Sequence, residues 1–245
     1  MNKKTKTERS KLTRRQLLAR TAGAAAAFTI VPRFVLGGPK FVAPSEKVYI
    51  AIIGCGGQGR TNSRSLFGQD DAQIVAIADP MDQHDYSKWY YGGVAGRLPV
   101  KDEIVKHYSK KDPQYKCNDY VDFRDLFEKE KNIDAILCAT PDHWHALVTL
   151  AAIKRGKHVY CEKPLTHNIA EARAVAKAAA EAGVATQMGN HGRSDEGNRI
   201  TCEMVWDGAI GEVREVHAWS SAGGWASGRG RPQGTPDVPK GFDWD

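Results

Sequence analysis

The chain has 245 residues, 41% hydrophobic and 26% charged, with a formal net charge of +6. That length can bury a sizeable core, as one large domain or two small ones. The excess charge does not indicate a nucleic-acid partner. Residues 1–20 hold eight Lys/Arg and one Glu, so the remaining 225 sum to −1 and offer no basic stripe to a phosphate backbone.

In chain order, Thr13-Arg14-Arg15-Gln16-Leu17-Leu18 sets paired arginines before the alanine-rich run Thr21 to Val31. The arrangement resembles a twin-arginine export signal, and the run is too short for a membrane span. The expectation is a signal and linker over 1–43, with the twin-arginine export machinery as a partner. Localisation would be exported, either periplasmic or anchored on the outer side of a bacterial inner membrane. The five cysteines (Cys55, Cys117, Cys138, Cys161, Cys202) are odd in number and form no C-x-x-C pair, so neither a disulfide framework nor a zinc site follows.

Val48 to Ile53 is an unbroken β-favouring apolar run, as suits a strand buried on both faces of a parallel sheet. It ends in Gly54, Gly56 and Gly59, spaced G-x-G-x-x-G. Gly54 would allow the turn, Gly56 the close approach of a pyrophosphate, and Gly59 the packing of the next helix, Gln58 to about Phe67. That helix start would offer free N–H groups to phosphates, which makes Gly54, Gly56, Gly57, Gln58, Gly59 and Arg60 candidate cofactor-binding residues. A second apolar run, Gln73 to Ala78, ends at Asp79, twenty positions after Gly59. An acid there can bond an adenosine ribose hydroxyl and repels a 2′-phosphate, favouring NAD over NADP, although Arg60 and Arg64 lie nearby.

Residues 81–99 read as irregular. Their cluster Trp89-Tyr90-Tyr91 would stack on a sugar or adenine, or cover the domain's own apolar surface. Further helices are expected at Val100 to Ser109, Phe123 to Lys131, Trp144 to Arg155, Asn168 to Ala182 and 194–207. Strands are expected at Ala135 to Ala139, His158 to Cys161, Val184 to Met188 and, by alternation, Glu212 to Ser220. Strands alternating with helices imply an α/β fold, a Rossmann doubly wound parallel sheet. The expected domains are a dinucleotide-binding unit over 44–190 and the start of a second over 191–245.

Ligands of such sheets bind beyond the carboxyl ends of the strands. Three polar clusters fall there: Thr140-Pro141-Asp142-His143-Trp144-His145, Glu162-Lys163-Pro164 and Gly189-Asn190-His191. Lys163 is the candidate catalytic residue, because a lysine near a cofactor can handle a hydroxyl proton. Thr140, Pro141, His145, Glu162 and Asn190 are candidate cofactor contacts, with Glu162 accepting from ribose hydroxyls. His143 and His191 are set on the substrate side; the plainer readings are a capping and a solvated loop histidine. No third ligand accompanies the two helix-start histidines, so no metal is expected.

With these residues in place the chain resembles the Gfo/Idh/MocA oxidoreductases. The matching segments are AIIGCGGQG, IVAIADP, DAILCATPDHWHALVTLAAIKRGKHVYCEKPLT and VATQMGNH, within residues 47–220. The resemblance implies NAD(P)-dependent sugar or cyclitol dehydrogenation with Lys163 as the Glu-Lys-Pro lysine. It also implies a C-terminal α/β domain that supplies substrate contacts, a catalytic Asp/His pair and a homo-oligomer interface. Of that domain the chain holds at most the first strand, so we read it as partial. Two other readings stand beside the dehydrogenase. One is an NAD-using glycosidase working by transient oxidation and elimination; the other is an NAD-binding module that is catalytically incomplete.

Overall fold

The computed structural model describes residues 42–88, 93–219, 234–235 and 237–244. The export signal and Trp89-Tyr90-Tyr91 therefore lie outside the described residues. The chain divides into two compact units, residues 1–46 and 47–245. The described part of the first holds a single 3-10 turn, Pro44–Glu46. All that follows concerns the second. Among the described residues no helix is long and apolar enough to cross a membrane.

The elements are β1 (Val48–Ile53), α1 (Gly57–Leu66), β2 (Ala72–Ala78), β3 (His84–Asp85), β4 (Val94–Ala95), α2 (Arg97–Tyr108) and β5 (Asn118–Tyr120). After them come α3 (Phe123–Lys129), β6 (Ala135–Cys138), α4 (Asp142–Ile153), β7 (His158–Glu162), α5 (Ile169–Ala182), β8 (Thr186–Gly189) and α6 (Glu196–Trp206). Six strands form one sheet in the order β5-β2-β1-β6-β7-β8, every neighbouring pair parallel. The order reverses at β1, which gives the doubly wound Rossmann arrangement and opens a crevice at the strand ends there.

Both faces are covered, as continuous apolar strands require. On one face Ile53, Ala78, Ile136, Cys138 and Val159 pack with Leu126 and Phe127 of α3, Val148 and Ala152 of α4, and Val175 of α5. On the other, Ile52, Ile74, Ile77 and Leu137 pack with Val100 and Ile104 of α2. Gly183 closes α5 as a left-handed cap with φ +63.

Two expectations are corrected, and one strand was not foreseen. The helix expected at Val100 begins at Arg97, because Pro99 sits in the first turn, where no backbone N–H is needed. The strand β5 gave no signal; it is a polar three-residue edge. The strand expected at Glu212 to Ser220 is not formed by residues 212–219, which are all exposed and pair with no strand among the described residues, with Val213 and Val216 in the open. Alternation alone makes no strand without a neighbour to bond.

Candidate cofactor-binding site

The register of the sheet sets the geometry. Ala78, Ile53, Cys138, Cys161 and Met188 form one row of paired residues across five strands. Two positions beyond that row stand Cys55, Thr140, Lys163 and Asn190. The polar clusters of the sequence therefore leave the sheet at one level.

The glycine bend is held by steric fit. Gly54 has φ +94, and a Cβ there would lie 2.5 Å from the Ala139 carbonyl oxygen. A Cβ on Gly59 would lie 1.9 Å from the Gly54 carbonyl oxygen, so only glycine lets α1 close on the bend. At Gly56 the nearest atom is the Tyr86 hydroxyl, 3.7 Å away, and the space in front of the backbone is open. No side chain caps the start of α1, so its first-turn amides can serve an anion. Burial holds the Tyr86 hydroxyl protonated by pushing its pKa up.

Asp79 accepts from the Cys55 amide at 2.5 Å and the Met81 amide at 2.7 Å. Its carboxylate thus ties the glycine bend to the end of β2. Burial raises its pKa against those two bonds. Each carboxylate oxygen keeps a second acceptor site for a ribose hydroxyl.

A cavity of about 1190 Å³ runs along these groups, lined by Gly54, Gly56, Gly57, Gln58, Asp79, Thr140, Pro141 and His143 among others. Eight of the expected residues therefore share one hollow. Tyr86, Phe123, Trp144, Phe242 and Trp244 also line it and were not singled out from sequence. They are scattered aromatics with no spacing signal.

Three expected cofactor contacts have other partners. Arg60 bonds Glu103 of α2 through Nε at 2.9 Å and through Nη2, and Arg64 joins the same carboxylate at 3.0 Å. Their charges are spent on each other's neighbour, and Arg60 does not line the cavity. His145 is buried, with Nδ1 at 2.5 Å from the Pro164 carbonyl and Nε2 at 2.8 Å from the Thr140 carbonyl. Its helix position turns it inward, under the crevice instead of into it. Glu162 is 4% exposed; it accepts from Asn62 Nδ2 at 2.7 Å, while His191 Nε2 stands 3.0 and 3.1 Å from its two oxygens. Gln58 Nε2 in turn donates to Asn62 Oδ1 at 2.7 Å. A Cβ on Gly189 would meet the Glu162 carboxylate at 2.9 Å, so β8 closes tightly over this network.

Lys163, Asn190 and His191 are exposed at the ends of β7 and β8, beyond the lining of the cavity. Among the described residues no hydrogen bond or ion pair ties the Lys163 ammonium. It stands one residue from buried Glu162 and is joined to Pro164 by a cis peptide bond.

The two carbonyl oxygens around His145 can only accept, an arrangement that favours hydrogen on both ring nitrogens, the imidazolium form. Burial opposes that charge, but hydrogen bonds to the Cys161 thiol and to the Pro164 and Thr140 carbonyls outweigh it and raise the pKa to about 9. Cys138, His145 and Cys161 bring their donor atoms within 4.8 Å of one another.

The family described as "Oxidoreductase family, NAD-binding Rossmann fold" (Gfo/Idh/MocA) matches residues 94–190. The inositol 2-dehydrogenase of Rubrobacter xylanophilus is 30% identical over 177 residues, which is 71% of this chain and 44% of that protein. The 1,5-anhydro-D-fructose reductase of Ensifer adhaerens is 39% identical over 92 residues, 36% of this chain and 28% of that one. The crystal structure of myo-inositol 2-dehydrogenase from Lactobacillus plantarum aligns with TM-score 0.52 and 25% identity, covering 68% of this chain and 43% of that one. The chain thus spans less than half the length of the curated relatives it matches. With the row-end motifs, the glycine bend and these matches in agreement, the chain belongs to the Gfo/Idh/MocA family of NAD-binding Rossmann-fold oxidoreductases.

Proposed function

We propose that the protein binds NAD and serves hydride transfer between nicotinamide and the hydroxyl-bearing carbon of a sugar, cyclitol or glycoside. The observation that carries this is the uncapped α1 start behind a glycine bend that only glycine can form, opening on the same cavity as Asp79. Bound NAD would supply the hydride acceptor. Gly56, Gly57 and Gln58 would hold its phosphates by backbone amides, and Asp79 its adenosine ribose. Arg60 and Arg64 are occupied by Glu103 and so do not attract a 2′-phosphate, which supports NAD over NADP.

Lys163 is the group that would hold or move the hydroxyl proton. Lys163 follows the end of β7, level in the backbone register with Thr140 and Asn190, and is exposed. Glu162 does not compete for that role, being committed to Asn62 and His191. The exported location, the twin-arginine machinery and a homo-oligomer belong to the same proposal and rest on the sequence of residues 1–43 and on the family.

The test is calorimetry with NAD, followed by NADH formation over a panel of sugars and cyclitols. Binding together with stoichiometric NADH supports the dehydrogenase. Glycoside cleavage without net NADH replaces it with the glycosidase reading, and binding without turnover leaves an NAD-binding module. Where turnover is found, Lys163→Met is expected to lower it by roughly 10²–10⁴ while NAD affinity holds.

A further inference from the structure

The sequence Pro239-Lys240-Gly241-Phe242-Asp243-Trp244 returns to the Rossmann unit far from its own strands. The Phe242 amide donates to the Pro239 carbonyl at 3.1 Å, and Gly241 has φ +81. Together these describe a type II turn, whose third residue must be glycine. The turn aims an extended segment along the residues that follow β2. The Asp82 amide donates to the Gly241 carbonyl at 2.7 Å, and the Asp243 amide to the Pro80 carbonyl at 2.9 Å, pairing Phe242 with Met81 antiparallel.

That landing strip is itself clamped. Arg97 of α2 bonds Asp82 and Asp119 through its guanidinium, and its amide bonds the Met81 carbonyl at 2.9 Å. Residues two apart in an extended segment face one side, and the Phe242 and Trp244 rings stand 5.8 Å apart. Both line the cavity that holds Asp79, together with Phe123 and Trp144. Trp244 is nevertheless 74% exposed, an aromatic surface with little protein against it.

We infer that Phe242 and Trp244 form the wall of the adenine subsite, stacking on the purine of the dinucleotide whose ribose Asp79 receives. The inference deepens the NAD reading and rests on it. The position selects the occupant. Asp79 fixes the adenosine end of the crevice, the aromatic pair lies just past it beside Met81, and a flat apolar base is the part of the cofactor that a ring face recognises. Backbone bonds pair the segment with residues 80–82, and the Phe242 and Trp244 rings border the cavity.

Calorimetry on the full 245-residue chain with AMP, ADP-ribose, NMN and NAD tests the wall. The double variant F242A/W244A is expected to weaken AMP, ADP-ribose and NAD about tenfold or more, with NMN unchanged; W244F keeps most of the affinity. AMP is expected to quench tryptophan fluorescence in the parent chain and not in W244F, a readout that does not depend on the double variant folding. Unchanged AMP affinity in F242A/W244A, or equal loss for NMN, overturns the wall and leaves the NAD reading standing. A parent chain that binds neither NAD nor AMP overturns both.

Discussion

The two halves of the crevice are built by different physics. Around Gly54 to Gly59 the backbone is fixed by exclusion: any side chain at Gly54 or Gly59 collides with a main-chain oxygen. Around β6, β7 and β8 the backbone is fixed by attraction, through the His145 imidazolium between two carbonyls and the Glu162 carboxylate between Asn62 and His191. Exclusion tolerates no substitution but is indifferent to pH. Attraction tolerates some substitution and is sensitive to protonation.

The sharpest way to break that contrast lies within the bend itself. Gly59→Ala is expected to destabilise the chain by on the order of 3 kcal/mol and to abolish NAD binding, since its Cβ overlaps the Gly54 oxygen and something must move. Gly56→Ala meets only ordinary contact at 3.7 Å. Its unfolding midpoint is expected to hold while NAD affinity drops about tenfold, because the added methyl stands where phosphate approaches. Chemical unfolding paired with calorimetry separates the two. Equal destabilisation by both variants would show that sterics do not divide the bend as described.

On the attractive side, His145→Gln leaves one buried carbonyl short of a donor and removes the charge from the other bond. A loss on the order of 2 kcal/mol in urea unfolding is expected. The pH profile carries a sign. The folded pKa of about 9 lies above the ordinary 6.5, so the folded state holds the proton more tightly than the unfolded chain. The stabilisation is fully present below about pH 6.5 and is lost as pH rises towards 9, which predicts a stability that declines across that window. His145→Gln should flatten the decline. A parent chain equally stable at both ends of the window refutes the imidazolium.

The smallest effect is expected for Glu162→Gln. The amide still accepts from Asn62 but turns a donor toward His191, for a loss of about 1 kcal/mol in the same unfolding assay. A larger loss would mean that the Glu162 network, and not His145, is the main fastening of that half.

The same contrast explains what could be read without a structure. The excluded half was legible, because a steric requirement writes itself as glycine at fixed spacing, and the strand runs on either side gave its context. Asp79 was legible as the acid that follows β2, whereas its bonds to the Cys55 and Met81 amides were not. The attractive half was legible only as a set of polar residues at strand ends. His145, Glu162 and Arg60 each had an outlet toward the crevice and another toward the interior, and spacing cannot choose between them. Helix phase turned His145 inward, Asn62 of α1 captured Glu162, and Glu103, 43 positions from Arg60, captured the arginine. The return of Phe242 and Trp244 to Met81 was beyond reach for another reason. It depends on two main-chain bonds that leave no mark on residue type except Gly241.

The row Ala78–Ile53–Cys138–Cys161–Met188 has a bearing on how such a chain can change over time. Lengthening a connection after the row leaves every strand in step, so that rim can accept new loops and new ligands. Inserting one residue before it, within β7 for instance, would turn Lys163 to the opposite side of the sheet and bring Tyr160 to the place where Cys161 now packs. Novelty is thus confined to one edge of the molecule, and the opposite edge answers only for keeping count.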